Sequence, residues 1–468
     1  MHLELTGLHR RVIAAGGAVL RLTRALDVRG EAARLPVVTN LFGTTERVAS
    51  GLGTDIDGLQ SLGEMMAWLR APKPPQSLRE ARALLPAARG ALLSRPKAVA
   101  RPRVWREVDP DFSFLPVQHC WPGDAGPLIT WPIVVTRPPG ADDFSSYNLG
   151  VYRMQVLDKA RAIMRWLPMR GGAAHHRQWQ RSGQATGEDM PVAVVIGADP
   201  ATMIAAVMPA PEGVSELALA GMINERRAAL APCAAIALHV PASAEIVLEG
   251  TVSLRENALE GPFGDHTGYY NAPAHYPVFT LKRLFVRDNA HYLTTFTGRA
   301  PDEPSVMGDA LLNVFKPLLR QQLPEILDVW LPPEASSYRI AVIAIDKRYP
   351  GQARRVMMGL WSLLPQFQMT KMVIVVDDDI DIRSWPDVMW ALATRMDPAR
   401  DLMVLERTPV DQLDFASPLE GLGGKVGFDA TRKIGAETSR EWGVGLAMPD
   451  EVEARVAQRW TEFFPDAN

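Results

Sequence analysis

The spacing of apolar and polar positions changes character twice along the chain. Over the first hundred residues it is mixed. Leu8 to Ala15 reads as a short helix and Ala18 to Leu22 as a short strand; Gly51, Gly53 and Gly58 mark turns, and Gly63 to Leu69 is helix-like. Pro72, Pro74 and Pro75 open a tether, an Ala/Leu/Arg-rich helix follows from Ser77 to Ser94, and a second tether ends at Pro102. From about 103 to 305, short β-rich runs alternate with turn residues: Leu128 to Thr136, Val192 to Ile196, Glu245 to Leu254 and His291 to Phe296. That texture predicts a barrel or sandwich. One helical insertion is expected from Ser215 to Ala231, with apolar Leu217, Leu219, Ala220 and Ile223 and a basic turn at Arg226 and Arg227.

From about 306 strands and helices alternate. Asp309 to Gln322, Ala353 to Leu364 and Asp387 to Met396 read as helices. Tyr338 to Ile345, Lys371 to Val376 and Leu402 to Leu405 read as strands, the first two buried. Such alternation implies a parallel sheet covered by helices. Glu451 to Phe463 is a helix in a tail. The predicted class is α/β, mixed α+β, in three parts: residues 1–100, an α/β region with linker; 101–305, β-rich; and 306–468, α/β with the tail.

Composition narrows the function. The 468 residues are 47% hydrophobic, ample for buried cores. Lys+Arg 50 against Asp+Glu 53 leaves a net charge of -3, which argues against a nucleic-acid binder, since that needs a basic face. The 2 cysteines, Cys120 and Cys233, are too few and too far apart for a disulfide scaffold or a zinc site. The amino terminus lacks a secretory pattern, and there is no apolar run of about 18 residues, so the expectation is a cytoplasmic protein, with peripheral contact at the inner face of the cell membrane left open.

Three clusters carry candidate chemistry. In Glu256 to Tyr270 (ENALEGPFGDHTGYY), Glu260 and Asp265 flank a Gly-Pro-Phe-Gly turn that lets both carboxylates face one cavity. Facing acids raise each other's pKa, and one of them can then stay protonated near neutral pH. Tyr147 to Arg153 (YNLGVYR) offers the Asn148 amide, the Tyr152 phenol and the Arg153 guanidinium, which could hold one acid ionised and grip a substrate carboxylate. Met164 to Gly172 (MRWLPMRGG) puts Arg165 and Arg170 around Trp166 before a Gly-Gly turn, a set that suits a phosphate. Other features carry less. Asp377, Asp378, Asp379 and Asp381 follow a strand but read as loop acids; His175 and His176, taken as extended, diverge; Asp265-His266 has no GxSxG partner; and Gly421 to Lys425 does not match a phosphate loop.

Taken together, EGPFGDHTGYY, YNLGVYR, IMRWLPMRGG, GADPATMIAA, VPASAEIVLEG, TGRAPDEP, RVMMGLWS, DDDID and TRMDPARD resemble the UbiD-type decarboxylases, which use prenylated FMN. The branch most resembled removes carbon dioxide from 4-hydroxy-3-polyprenylbenzoate, giving 2-polyprenylphenol for ubiquinone. The resemblance runs from about Leu35 to about Trp442; it implies that closer members carry an additional amino-terminal segment and that this chain starts inside it, with residues 1–34 only loosely similar.

The resemblance implies a central split β-barrel holding the flavin over 101–305, and a carboxy-terminal α/β domain used in assembly. It implies Arg153, Glu260 and Asp265 as the catalytic network, with Asp265 protonating carbon after carbon dioxide leaves. Val151, Tyr152, Arg153, Arg165, Trp166, Leu167, Arg170 and Gly171 match cofactor-contacting segments, and Lys425 reaches the phosphate. Asn148 and Glu216 match ligands of manganese (Mn2+), with potassium (K+) as a companion ion. Where some members supply a further histidine, this chain reads Met169-Arg170-Gly171. Implied partners are an aromatic acid with a polyprenyl tail, a flavin prenyltransferase that supplies the cofactor, and further copies of the chain, as dimer or hexamer. The competing readings are a decarboxylase of a smaller aromatic or heteroaromatic acid, a non-catalytic assembly subunit, and an FMN oxidoreductase.

Overall fold

The computed structural model describes residues 3–70, 77–83, 85–183, 189–208, 215–363 and 367–463. The tether expected at Pro72, Pro74 and Pro75 lies outside the described residues. Among those described, no helix is long and apolar enough to cross a membrane.

A nine-stranded antiparallel sheet dominates the middle of the chain. Its spatial order is Leu128–Ile129, Met154–Val156, Arg161–Met164, Ala274–Arg287, Ile246–Glu260, Met190–Ile196, Pro132–Thr136 and Asn148–Val151, with Trp105–Val108 added on Ala274–Arg287. The continuous run read as one strand from Leu128 to Thr136 is in fact two, broken at Thr130 and Trp131, and the halves sit toward opposite edges of the sheet. Asn148–Val151 at one edge likewise continues, after Tyr152 and Arg153, into Met154–Val156 beside the other edge. Two connections of two residues each thus draw the edges together, and the sheet curls into a split barrel. No ladder among the described residues closes the seam. Arg153 lies in it.

The long hairpin Ile246–Glu260 with Ala274–Arg287 supplies the barrel's spine and carries register shifts after Glu249 and Val252. At the first shift Gly250 lies so close to Thr280 that an added Cβ would overlap the Thr280 carbonyl. Only glycine allows that approach.

The helical insertion is shorter than expected. Ser215 caps Glu216–Ile223, which stops at Asn224, and Glu225 turns left-handed with φ of 48°. Ala229–Pro232 is a strand, pairing with His239–Pro241 and Lys97–Ala98. His291 to Phe296 departs too: only Tyr292–Leu293 pairs, and it pairs with Val37–Thr39 of the amino-terminal region. The carboxy-terminal sheet, ordered Ile326–Trp330, Ile340–Ile345, Met372–Asp377, Leu422–Asp429 and Leu402–Pro409, is parallel only through its three central strands. Both edge strands run antiparallel because short connections without a crossover helix feed them. Ile340–Ile345 and Met372–Asp377 are buried along nearly their whole length, as strands covered on both faces are.

The helix Ile56–Arg70 packs on Glu303–Gln322, where Gly63 backs onto the Val314 carbonyl. At the start of the second helix, Glu303 is fully buried and its Oε2 lies 3.5 Å from His9 Nε2. Burial pushes the Glu303 carboxyl up to about 7 and the His9 imidazole down to about 4. The folded pair is therefore a neutral acid beside a neutral ring, whereas the unfolded pair near pH 6 is an anion and a cation. Each state holds one proton, so between the two unfolded values, 4.5 and 6.5, the pair leaves stability flat with pH. Glu303→Gln is expected to unmask His9, whose contribution is present above 6.5 and is lost as pH falls toward 4. Thermal unfolding of the variant should weaken from pH 6.5 to 5 by ~1–2 kcal/mol relative to the unsubstituted chain. Identical pH dependence in both would contradict this.

Candidate active site

The turn between the two long strands is built around glycine. Gly261 takes φ of 87°, and Asn271 Nδ2 lies 3.1 Å from where its Cβ would be. Gly264 lies against the Trp121 indole. Phe263 between them is fully buried and anchors the turn, a burial worth about 1.5–3 kcal/mol. Gln155 Oε1 accepts from Gly261 N at 2.9 Å and Asp124 Oδ1 accepts from Gly264 N at 2.9 Å. Both acids are thereby fixed, Glu260 with no exposure and Asp265 at 7%.

The Arg153 guanidinium crosses from the seam into this turn. Its Nε donates to Glu260 Oε1 at 2.8 Å, Nη1 to Asp265 Oδ2 at 3.1 Å, and Nη2 to Asn271 Oδ1 at 2.7 Å. Its carbon sits 5.1 Å from the centre of the Phe263 ring. Arg165 stands behind, with Nε 3.8 Å from Glu260 Oε2 and Nη1 4.0 Å from Asp265 Oδ2. Arg153, Glu260 and Asp265 are thus brought together, with Arg165 beside them.

The charge state differs from the sequence expectation. Facing acids and burial were expected to raise Asp265. Burial does push it up, but the His266 hydrogen bond, then the charges of Arg153, His266 and Arg165, carry it well below the ordinary carboxylate range. His266 N and Nδ1 lie 2.8 and 2.9 Å from Asp265 Oδ1. Burial lowers the His266 imidazole, yet Asp265 and Asp411 outweigh it and raise the ring above its usual value. The shifts run in opposite directions: Asp265 is held as a carboxylate, and the imidazole beside it is the group whose protonated form the cluster favours.

A second group of side chains surrounds the start of the helix Gly171–Gly183. Gly171 packs so closely on Asn148 that a Cβ there would overlap the amide oxygen, and Gly172 lies as closely on the Trp166 indole. Tyr152 is buried, its hydroxyl 3.3 Å from Gly172 N and 3.4 Å from Asn148 Nδ2. Glu216 Oε2 accepts from Leu149 N at 3.3 Å, which sets its carboxylate beside the residue next to Asn148, and burial raises its pKa. A carboxylate raised by burial is one that a cation stabilises. Val151 and Leu167 are half-buried beside this group in sequence, and Arg170 is exposed.

Lys425 is not brought to either group. Its ammonium is buried in the carboxy-terminal sheet, donating to the carbonyls of Gln368 and Thr370 at 2.6 and 3.1 Å, so in this structure it faces no phosphate position. Two acids of the run are spent on ion pairs: Asp377 with Arg395 at 2.8 Å, and Asp379 with Arg395 and Arg432. His175 and His176 are helical rather than extended; they diverge to Thr136 Oγ1 and the Ser253 carbonyl, each at 2.9 Å. Among the described residues no group of three or more His, Cys, Asp or Glu could hold a metal. Asn271 and Asp124 escaped sequence reading. Asn271 directly follows EGPFGDHTGYY, which is a usable signal, but Asp124 stands in no motif.

A barrel split at a catalytic-looking arginine, with two acids in one glycine turn, defines a class that comparison makes explicit. The UbiD family models match in three parts: the 3-octaprenyl-4-hydroxybenzoate carboxy-lyase amino-terminal domain over residues 1–66, its Rift-related domain over 93–300 and its carboxy-terminal domain over 305–430. The chain belongs to the UbiD family and is a carboxy-lyase, a decarboxylase. The amino-terminal match reaches residue 1, well ahead of Leu35, where the motif resemblance was expected to begin. Among solved structures, the UbiD-class enzyme HmfF from Pelotomaculum thermopropionicum, in complex with FMN, is 26% identical with a TM-score of 0.76, covering 98% of this chain and 94% of that one. Vanillic acid decarboxylase of Sedimentibacter hydroxybenzoicus, in closed form, shares the fold at 24% identity and a TM-score of 0.79, covering 99% and 94%. So does apo 3,4-dihydroxybenzoic acid decarboxylase of Enterobacter cloacae, at 19% and 0.70, covering 97% and 94%.

Proposed function

We propose that this chain removes the carboxyl group of 4-hydroxy-3-polyprenylbenzoate, using prenylated FMN, and so supplies 2-polyprenylphenol for ubiquinone. The observation that carries the reading is the cluster of Arg153 with the buried Glu260 and Asp265, in a chain matched over residues 1–66, 93–300 and 305–430 by models described for that carboxy-lyase. The residues present fit the flavin. Arg165 Nε, Trp166 Nε1 and Glu260 Oε2 are buried polar atoms without a hydrogen-bond partner, and the start of the Gly171–Gly183 helix offers the positive end of its dipole to a phosphate. Val151, Tyr152, Arg153, Arg165, Trp166, Leu167, Arg170 and Gly171 would hold the cofactor. Asn148 and Glu216 would hold manganese against its phosphate as hard oxygen donors, with potassium nearby.

The flavin supplies the electron sink that loss of carbon dioxide from an arene requires and that no side chain provides. The chain does the rest. Arg153 spends a donor each on Glu260, Asp265 and Asn271, so it positions the acids. Arg165, whose Nε makes no hydrogen bond, is the guanidinium better placed to meet a carboxylate. Asp265 delivers the proton to carbon, and the buried turn keeps bulk water away. The three-part division at 100 and 305 is part of this proposal, the last part serving self-association as dimer or hexamer, and the polyprenyl tail implies peripheral contact with the cell membrane.

The names of the vanillic and dihydroxybenzoic acid decarboxylases favour a second reading, a small aromatic acid as substrate. The test is the holoenzyme, made beside a flavin prenyltransferase, on prenylated and unprenylated hydroxybenzoates. Turnover of the prenylated acid is expected. Turnover confined to unprenylated acids selects the second reading, and turnover of neither, with prenylated FMN shown bound by its absorbance and mass, overturns both.

A further inference from the structure

His266 reaches both the acid and the carboxy-terminal part of the chain. Its Nδ1 lies 2.9 Å from Asp265 Oδ1, and its Nε2, buried and without a hydrogen bond, lies 3.7 Å from Asp411 Oδ2. Asp411 stands between the strands Leu402–Pro409 and Leu422–Asp429 and is itself held: Oδ2 accepts from Tyr338 OH at 2.6 Å and Arg339 Nη2 at 3.4 Å, and Oδ1 accepts from Leu413 N at 2.9 Å. The Tyr338 ring lies 6.1 Å from the imidazole, centre to centre. The groups facing His266 are thus Asp265 of its own turn, Asp411, Tyr338 and Arg339 of the carboxy-terminal part, and more distantly Asp302 ahead of the Glu303–Gln322 helix.

Resting on the decarboxylase reading, we infer that His266 is the positioning residue that stores the proton which Asp265 passes to the product carbon, and that Asp411 holds the imidazolium in place. In the step, the Nδ1–H bond breaks with its electron pair left on nitrogen, and an O–H bond forms on Asp265 Oδ1. His266 becomes neutral, keeping its other proton on Nε2 toward Asp411. Asp265 then gives its proton to carbon and is a carboxylate again. As product leaves, solvent returns one proton to Nδ1, the proton that exchanging a carboxylate for hydrogen consumes in each turnover. The arrangement answers a difficulty in the site: Asp265, flanked by two arginines, does not hold a proton by itself.

Two measurements test this. In the apo chain, labelled histidine followed by NMR, with the His266 signal assigned by its loss in His266→Gln, should titrate above the ordinary 6.5 and fall in Asp411→Asn. A ring titrating at or below 6.5, or one that Asp411→Asn leaves unmoved, overturns the proposal without reference to turnover. In the holoenzyme, kcat should fall as pH rises through the His266 value; Asp411→Asn should move that alkaline limb to lower pH, and His266→Gln should abolish it while lowering kcat at least ~10-fold. An unchanged limb in flavin-loaded Asp411→Asn, or in His266→Gln where it folds, also overturns it. Absence of turnover in the unsubstituted holoenzyme would count against the decarboxylase reading alone, since the NMR titration still decides the role of His266.

Discussion

Asp265→Asn is expected to bind flavin and aromatic acid and yet lose ~10²–10⁴-fold in turnover, the range a positioned general acid contributes. The replacement is close in shape, and its amide oxygen still accepts from Arg153 Nη1, so the glycine turn and the buried Phe263 should stay in place. What disappears is the group that can take a proton from one side and release it to the other. Turnover should be read beside exchange of the product's ring hydrogen for deuterium, because exchange needs the acid without the loss of carbon dioxide. Wild-type exchange in the variant would remove Asp265 from its role.

Arg153→Met should have the largest effect on the fold of the site. The guanidinium satisfies Glu260, Asp265 and Asn271 together, and Glu260 is entirely buried. Removing one partner of a buried pair strands the other charge, at a cost of about 3–5 kcal/mol. The double variant Arg153→Met with Glu260→Gln should recover part of the lost thermal stability, since no carboxylate is then left unpaired. Neither variant should turn over. Equal melting temperatures for the single variant and the unsubstituted chain would show that the pair is not coupled as its distances suggest.

Much of this site was legible in the sequence. Glu260 and Asp265 come from one short turn whose glycines advertise a sharp reversal, and Arg153 from a motif that the resemblance singles out. The buried strands Ile340–Ile345 and Met372–Asp377 were plain from unbroken apolar runs. The barrel's seam was not, because Leu128 to Thr136 is continuously β-rich and nothing local says that its halves serve opposite edges. The ionisation of Asp265 was misjudged for a related reason. His266 was visible as a neighbour, but Arg165, a hundred residues earlier, is brought close by folding alone, and so is Asp411. Lys425 shows the opposite error: the resemblance implied a phosphate contact, while tertiary packing gives that ammonium two backbone carbonyls.

Placing Arg153 on the two-residue link between Asn148–Val151 and Met154–Val156 has a consequence for how the molecule can vary. The same side chain that gathers Glu260, Asp265 and Asn271 also fastens one rim of the cylinder to the hairpin opposite. The cluster of acids and the drawing together of the two rims thus depend on one residue, and extra residues can enter the surface loops far more freely than this link.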